Sequence, residues 1–262
     1  MSIKKCFEEM PCTLKLAYVL IAILFVINIA FWVGCCMNKT TSVKGGSASD
    51  KEIADWVYKN PETILDSVNK YAAKQQEEIQ KQQQKQAAEN IGKFDKELKN
   101  TKYAGVMNPK GKIEIVEFYD YNCGYCKMAA KNIEELLKTR KDVRVILRSI
   151  PILGDASVYA SQVGVAILIT EPAKYPDYYK ALMGGSARNK EGVAKAVETA
   201  GIKMAKIEKV LTKNKAEIEA AINKNQELAR NVGINGTPAF IVNGELIPGA
   251  VDAKTLDRKI GK

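Results

Sequence analysis

Two cysteines separated by two residues, in Cys123-Gly124-Tyr125-Cys126, are the side chains of this sequence best suited to chemistry. They follow a β-like run, Ile113–Tyr119, and stand where a helical pattern begins. A helix N-terminus stabilises negative charge and therefore favours a thiolate. A thiolate with a second thiol one turn away can attack a disulfide and then resolve the mixed disulfide. The motif therefore predicts thiol-disulfide exchange.

Other uses of the cysteine pair are a structural disulfide, half of a zinc site, or a pair of soft copper ligands. An all-cysteine zinc site needs a second pair of ligands, and no cysteine other than the motif pair follows Cys36. The chain has no histidine, which excludes Ser-His and Cys-His nucleophile pairs and every zinc site that contains histidine. Copper binding by Cys123 and Cys126 stays open as a function of another class.

The six cysteines are distributed unevenly along the chain. Four of them (Cys6, Cys12, Cys35 and Cys36) lie in or beside an N-terminal hydrophobic segment, and the rest of the chain holds only the motif pair. A secreted disulfide scaffold would spread several pairs through its body. Spare thiols would compete as exchange partners, so their absence suits a protein that acts on the disulfides of others.

The segment Leu16–Cys36 is apolar over 21 residues, and about 20 are needed to cross a bilayer. Because Lys4, Lys5 and Lys15 precede it, the positive-inside rule places residues 1–15 in the cytoplasm and the bulk of the chain outside. We therefore predict an uncleaved transmembrane signal anchor at 16–36. Gly34-Cys35 loosely fits a lipoprotein signal, so a cleaved, secreted or acylated form remains the alternative.

Residues 37–104 are expected to form a linker and a helical stalk. Thr40–Ser49 is polar and rich in glycine and serine, as in flexible linkers. A helical pattern follows over Asn60–Lys99, with Asn60 as a possible cap and Pro61 in the first turn. The stretch has too few apolar residues to form a core alone, so it is either a spacer or a self-association segment.

The folded domain is predicted to span 105–262. The periodicity gives a strand at Ile113–Tyr119, the motif helix, and a second strand at Val143–Leu147, an order that makes a parallel pair. A block of helical patterns follows at about 155–232. The chain then gives a strand at Thr237–Val242, an Asn243-Gly244 turn, a returning strand at Glu245–Ile247 and a last helix capped by Asp252.

This order resembles the thioredoxin superfamily, and the helical block resembles its DsbA-like branch of disulfide oxidoreductases. The resemblance covers about Gly105 to Lys262 and depends on three segments, Glu117–Cys126, Pro151–Gly154 and Gly236–Phe240. It implies an α/β thioredoxin fold with a helical insertion, here preceded by a transmembrane helix and a helical stalk.

The resemblance also implies roles for single residues. Cys123 would be the nucleophile, exposed at the helix end, and Cys126 the buried resolving thiol, so the only redox group would be their disulfide, with no cofactor and no metal. Glu117 matches a buried acid that manages the proton of the resolving thiol. Pro238 matches a cis-proline beside the cysteines, where the backbone of Thr237 would pair with a substrate strand. Asp120 and Tyr121 are expected at the rim, without a role.

The dipeptide between the cysteines suggests the direction of the redox reaction. Gly124-Tyr125 supplies no cation to stabilise the thiolate, so the disulfide should be less oxidising than in strongly oxidising relatives. Gly124, Tyr125 and Thr237 look like the isomerase branch. The stalk at 60–99 is similar to the oligomerisation segment of isomerases of the copper-sensitivity-suppressor type. We therefore favour an isomerase or reductase over a thiol oxidase.

The resemblance also implies partners and a location. The clients would be exported proteins that contain cysteines, and a membrane redox partner would reset the motif. The catalytic domain would lie in the bacterial periplasm, attached to the inner membrane. The formal net charge is +10, but the lysines are spread out with acidic neighbours, so nucleic-acid binding is not predicted.

Overall fold

The computed structural model describes residues 48–185 and 187–261. The predicted cytoplasmic segment, the membrane span at 16–36 and most of the linker lie outside these residues. Within the described ranges, no helix combines the length and apolar character that crossing a bilayer requires.

The elements of the folded unit follow the predicted order, which is strand-helix-strand, then a block of helices, then two strands and a last helix. The strands are β1 (Gly105–Met107), β2 (Ile113–Tyr119), β3 (Val143–Ser149), β4 (Ala239–Val242) and β5 (Glu245–Pro248). The first helices are α1 (Asp50–Lys59), α2 (Pro61–Lys93), α3 (Asp95–Lys99) and α4 (Gly124–Thr139). The remaining helices are α5 (Asp155–Thr170), a short 3-10 turn (Pro172–Lys174), α6 (Tyr175–Gly184), α7 (Lys190–Thr199), α8 (Met204–Lys213), α9 (Lys215–Asn231) and α10 (Ala253–Ile260).

The five strands form one mixed sheet in the order β1-β3-β2-β4-β5. β2 and β3 are parallel over their whole length, from the pair Ile113 and Val143 to the pair Tyr119 and Ser149, which confirms the predicted strand-helix-strand unit. β4 runs antiparallel to β2, and β5 forms a hairpin with β4. β1 is not predicted, because three residues beginning with glycine carry too little alternation to indicate a strand.

The sheet is covered on both faces. On one face, α4 and the inserted helices enclose a core of apolar side chains from β2 and β3. On the other face, Leu228 and Val232 at the end of α9 pack with Ile91 of α2 and Leu98 of α3. The end of the predicted stalk therefore contributes to a core of the folded unit. The domain start near Gly105 stays a prediction.

A buried arginine fixes α3 to the sheet. Arg148 of β3 is 4% exposed. It donates from Nη2 to the carbonyl oxygens of Leu98 (3.0 Å) and Asn100 (2.6 Å), and from Nη1 to Asn225 Oδ1 (2.8 Å). A cation suits the negative end of a helix dipole, and burial lowers the pKa of Arg148 to about 10. The chain between α2 and β1 is thus held to the sheet by charge-assisted bonds.

The structure divides into two compact units between Lys70 and Tyr71, within α2. The described part of the first unit consists of α1 and the start of α2. α1 begins with a capping box formed by Ser49 and Glu52 and has no buried residue. The Asn60 side chain donates to the carbonyl oxygen of Trp56 (2.8 Å). The Asn60 side chain therefore caps the C-terminus of α1, whereas the sequence predicted that it would cap the start of the following helix.

Candidate active site

The cysteine motif lies where β2 turns into α4. β2 ends at Tyr119, and Cys123 is the N-cap residue of α4 with extended backbone angles. Both motif cysteines are thiols. Cys126, in the first turn of α4, is 0% exposed, and Cys123 is 8% exposed. The expectation of a buried Cys126 agrees with this, but Cys123 is more covered than we expected.

The cover over Cys123 is the loop before β4. The Cys123 Sγ donates to the carbonyl oxygen of Thr237 at 3.3 Å. The Thr237–Pro238 peptide bond is cis, as predicted. Pro238 is buried and Thr237 is half-buried, and Gly249 N donates to the Pro238 carbonyl oxygen at 2.8 Å. The hairpin thus holds the loop against Cys123.

Glu117 lies beneath the cysteines on the central strand and is fully buried. Its Oε2 accepts a hydrogen bond from the Tyr179 hydroxyl at 2.8 Å. Its Oε1 has no partner among the described residues. Burial raises the pKa of Glu117 to about 8, while the Tyr179 hydrogen bond opposes that shift. The predicted buried acid is therefore present, with one carboxyl oxygen available for a proton.

The Cys126 thiol interacts electrostatically with this acid. Burial raises the pKa of Cys126, and the negative charge of Glu117 raises it further. The backbone of Asp120 and the side chain of Thr237 act in the opposite direction. A thiol in this environment ionises only when a nearby group accepts its proton.

The prediction that Asp120 and Tyr121 lie at the rim is wrong, because both side chains are fully buried. The Asp120 carboxylate accepts hydrogen bonds at 2.7 to 3.1 Å from four donors, which are the amides of Asn122, Ile152 and Leu153 and the Ser157 hydroxyl. The inserted helical block covers this end of the sheet, so a turn that looks exposed in the sequence is enclosed. The sequence signal for this burial was the position of an acidic residue directly between a buried strand and the cysteine motif.

Tyr121 belongs to a buried cluster of tyrosines, with Tyr119, Tyr175, Tyr178 and Tyr179. The Tyr121 hydroxyl donates to Tyr175 (2.9 Å) and accepts from Tyr119 (3.0 Å). A Cβ atom added at Gly105 would lie 2.1 Å from the Tyr175 ring, so glycine is required there. Tyr179, the partner of Glu117, comes from this cluster, and no local sequence pattern marks it.

Around the covered thiol, the surface is apolar. Tyr125 within the motif is 67% exposed, and Met128, Ile152 and Leu153 are each about half exposed. Gly124 faces open space. Exposed apolar side chains around a reactive group are typical of a surface that binds other proteins.

The alternative that the cysteine pair binds a metal ion is not supported by any set of ligands in the part of the chain that the structure describes. No group of three or more histidine, cysteine, aspartate or glutamate side chains there is arranged to hold a metal ion. Among the described residues, Cys123 and Cys126 are thus not part of such a group, and copper binding is not supported.

Comparison with known proteins gives consistent matches. Residues 114–261 match the family model described as "DSBA-like thioredoxin domain". The thiol:disulfide interchange protein DsbA of Bordetella parapertussis is 27% identical over 145 residues, which are 54% of this chain and 68% of that protein.

Solved structures extend these matches. The thiol-disulfide exchange protein alpha-DsbA2 of Wolbachia pipientis has a TM-score of 0.62 at 28% identity, covering 67% of this chain and 94% of that one. Proteus mirabilis ScsC in a transitional conformation has a TM-score of 0.60 at 24% identity, with 80% of this chain and 92% of that one covered. The latter is a likeness of fold.

Proposed function

Because the chain belongs to the family of DsbA-like thioredoxin domains, and is therefore a thiol:disulfide oxidoreductase, we propose that it reduces and reshuffles disulfides of exported proteins. The observation that carries this proposal is the placement of Cys123, at the start of a helix and 3.3 Å from the carbonyl oxygen of Thr237. A substrate disulfide held by the Thr237 backbone would therefore lie beside the nucleophile.

The first step is attack by the Cys123 thiolate on one sulfur of a client disulfide. A mixed disulfide forms between Cys123 and that sulfur, the client S–S bond breaks, and the other client sulfur leaves as a thiolate.

The second step decides between reduction and isomerisation. In reduction, Cys126 gives its proton to the Glu117 carboxylate and attacks the Cys123 sulfur, so the Cys123–Cys126 disulfide forms and the bond between Cys123 and the client sulfur breaks. That client sulfur leaves and takes the proton from Glu117, and the client thiolate released in the first step takes a proton from the solvent. The client then gains two electrons and two protons, and a thiol-donating redox partner must reduce the motif again. In isomerisation, another client thiolate attacks the mixed disulfide instead and releases Cys123, with no net transfer of electrons.

Support for the isomerase or reductase direction comes from the groups around Cys123. Gly124 and Tyr125 bring no cation, and the hydrogen-bond partner of the Cys123 sulfur is a carbonyl oxygen, which accepts the thiol proton. A strong oxidant needs a stabilised reduced form. The second candidate is a thiol oxidase, which the apolar surface around Tyr125 and Leu153 would serve equally well.

Two assays test this proposal. The reduced protein should reduce insulin and should restore activity to a ribonuclease with scrambled disulfides. Cys123→Ala should abolish both activities, and Cys126→Ala should trap the mixed disulfide, which mass spectrometry detects. Unchanged insulin reduction by Cys123→Ala would refute the redox proposal as a whole. A wild-type protein that oxidises reduced ribonuclease but leaves scrambled ribonuclease inactive would favour the oxidase.

We further propose that the protein is anchored in the bacterial inner membrane with this domain in the periplasm, where a membrane redox partner resets the motif. The support is the apolar segment at 16–36 together with the family membership. Self-association through residues 60–99 is part of the same proposal, and the apolar side chains of Leu65, Val68 and Tyr71, all exposed in α2, support it.

A further inference from the structure

A buried tyrosine hydroxyl from the inserted helices bonds to the acid of the site. Tyr179 of α6 is fully buried, and its hydroxyl donates to the Glu117 Oε2 at 2.8 Å. α6 lies in the chain between β3 and β4, within the block of inserted helices, and packs against α4, the helix that begins at the cysteine motif. The two proposed steps use Glu117 and leave Tyr179 without a role.

This hydrogen bond differs from those of the other tyrosines in the buried cluster. The hydroxyls of Tyr119, Tyr121 and Tyr175 bond to one another, and that of Tyr178 donates to the carbonyl oxygen of Ala160. Each of these bonds satisfies a buried neutral group, which is an ordinary requirement of a protein core. Of the five hydroxyls, only that of Tyr179 has a carboxyl group as its partner in the described structure. A donor to a carboxyl group also affects the proton affinity of that group.

Packing holds the Tyr179 hydroxyl in place. The Tyr179 ring meets the Tyr119 ring edge-on, with the ring centroids 5.0 Å apart and the planes at 84°. A fully buried ring cannot turn away without opening the core around it. The Glu117 Oε2 is therefore engaged, whereas Oε1 has no partner among the described residues. A proton that reaches Glu117 would be taken up at Oε1.

The same bond favours the charged form of the acid. A hydroxyl donates more strongly to a carboxylate than to a neutral carboxyl group, so Tyr179 opposes the burial that raises the pKa of Glu117 to about 8. Burial and the charge of Glu117 raise the pKa of Tyr179 well above its ordinary value. The phenol therefore stays protonated, and it is a donor to Glu117 rather than an alternative acceptor of the Cys126 proton.

The other groups around Glu117 do not favour its charged form. Cys126 of α4 and Tyr175 of α6 are titratable, and burial raises the pKa of both, with a further rise from the charge of Glu117. The residues that pair with Glu117 on β3 and β4 are Leu147 and Phe240, which do not titrate. Among the described residues, Tyr179 is thus the group that lowers the pKa of Glu117.

We propose that Tyr179 is a positioning residue for the second step, in which its hydroxyl holds the Glu117 Oε2 so that Oε1 takes the proton of Cys126. In that step the Cys126 sulfur bonds to the Cys123 sulfur, and the bond from Cys123 to the client sulfur breaks. The client sulfur leaves with the electron pair and takes the proton from Glu117, and Tyr179 keeps its own proton. This inference rests on the proposed function, because it concerns resolution by Cys126.

Two variants of α6 separate this role from packing. Tyr179→Phe keeps the ring and removes the hydroxyl that bonds Glu117. Tyr178→Phe is the matched control, because Tyr178 is also fully buried and its hydroxyl bonds the Ala160 carbonyl oxygen at 2.7 Å instead. Incorporation of fluorotyrosine at position 179 keeps both ring and hydroxyl but makes the phenol a stronger donor, so this third protein tests the bond without removing it.

Two measurements apply to each protein. The first is the titration of the Glu117 carboxyl carbon by NMR in the reduced protein, which needs no substrate. The second is stopped-flow reaction of the reduced protein with a nitrophenyl disulfide whose thiolate absorbs visible light. Attack by Cys123 releases the first thiolate in a bimolecular phase. Attack by Cys126 releases the second in a unimolecular phase, whose rate reports the resolution step.

We expect Tyr179→Phe to raise the pKa of Glu117 by about one unit, as the loss of a hydrogen bond to a charged group implies. The pH midpoint of the unimolecular phase should rise with it, and near pH 7 that phase should slow by about fivefold, because less carboxylate is present to accept the proton. Fluorotyrosine should lower both values, and Tyr178→Phe should match the wild type. In a Glu117→Gln background, Tyr179→Phe should slow resolution no further, since it acts through the acid.

An unchanged Glu117 titration in Tyr179→Phe would overturn the role of Tyr179. An equal shift in Tyr178→Phe, a further slowing in the Glu117→Gln background, or a fluorotyrosine protein with the wild-type titration would overturn it as well. Shifted titrations and pH midpoints together with a wild type that does not reduce insulin would support Tyr179 as a positioning residue and refute the proposed function.

Discussion

At the scale of single residues, the site is a pair of thiols in two different environments. Cys123 is the N-cap of a helix and is 8% exposed, and Cys126 is enclosed one turn later above Glu117. Burial disfavours both the Cys126 thiolate and the Glu117 carboxylate, and the charge of Glu117 raises the pKa of Cys126 further. The Glu117 Oε1, which has no partner among the described residues, is the oxygen that would accept the proton in the proposed mechanism.

The buried acid also predicts a dependence of stability on pH. Burial raises the Glu117 pKa from 4.5 to about 8. Between these values the folded protein holds a proton that the unfolded chain has released, so stability falls as pH rises from 5 to 8. We expect the free energy of unfolding of the wild type to fall by roughly 3 kcal/mol more than that of Glu117→Gln over this interval.

Urea unfolding of the reduced protein at pH 5 and pH 8, at one ionic strength, measures this difference. Glu135→Gln is the control, because Glu135 is exposed on α4 and its replacement should leave the wild-type pH dependence in place. The same pH dependence in Glu117→Gln as in the wild type would show that Glu117 does not carry the raised pKa.

At the scale of elements, one buried carboxylate joins two turns of the active site. Asp120 follows β2, and its oxygens bond the amides of Ile152 and Leu153 in the turn before α5. The same carboxylate bonds Ser157 within α5. The backbone that carries the exposed apolar side chains of Ile152 and Leu153 is thereby held by Asp120.

Replacement of Asp120 by asparagine should release the turn before α5. An amide nitrogen cannot accept the bonds that one carboxylate oxygen accepts, and each unsatisfied buried donor costs about 1–3 kcal/mol. We expect Asp120→Asn to lower the free energy of unfolding by roughly 2–4 kcal/mol and to speed hydrogen exchange at the Ile152 and Leu153 amides. Asp155→Asn, at an exposed position in the same region, should do neither. Unchanged exchange in Asp120→Asn would mean that the turn is held by other contacts.

At the scale of the whole molecule, the helices that precede β1 fall into two regions that differ in the burial of their apolar side chains. Ile91 and Leu98 pack into a core on the sheet. Farther toward the N-terminus, α1 and the first half of α2 expose large apolar side chains, among them Trp56 and Val68. A monomer rarely exposes many such side chains in one region, which is the physical basis of the proposed self-association.

Removal of apolar side chains from α2 should therefore change the oligomeric state. Leu65 and Val68 are 61% and 57% exposed, so Leu65→Asp/Val68→Asp should leave the fold intact and give a monomer where the wild type self-associates. Light scattering after size exclusion measures the mass. Asp66→Asn/Lys70→Gln removes an exposed ion pair from the same turns and should keep the wild-type mass. A monomeric wild type would refute self-association.

The local features of this protein follow from the sequence. The strand at Ile113–Tyr119, the start of α4 at the cysteine motif, the turn at Asn243-Gly244 and the cap at Asp252 are all present in the structure. Each depends on neighbouring residues, because strand and helix periods and turn preferences are set within a few positions. The cis bond before Pro238 was predicted from the resemblance of its segment to the family.

Burial and distant contacts were decided by the tertiary structure. Asp120 and Tyr121 follow a strand in a polar turn, and only the inserted helices, which lie farther along the chain, enclose them. Tyr179 meets Glu117 across 62 residues of sequence. A residue's own sequence neighbours do not determine which distant elements cover it, so these features appear only in the folded molecule.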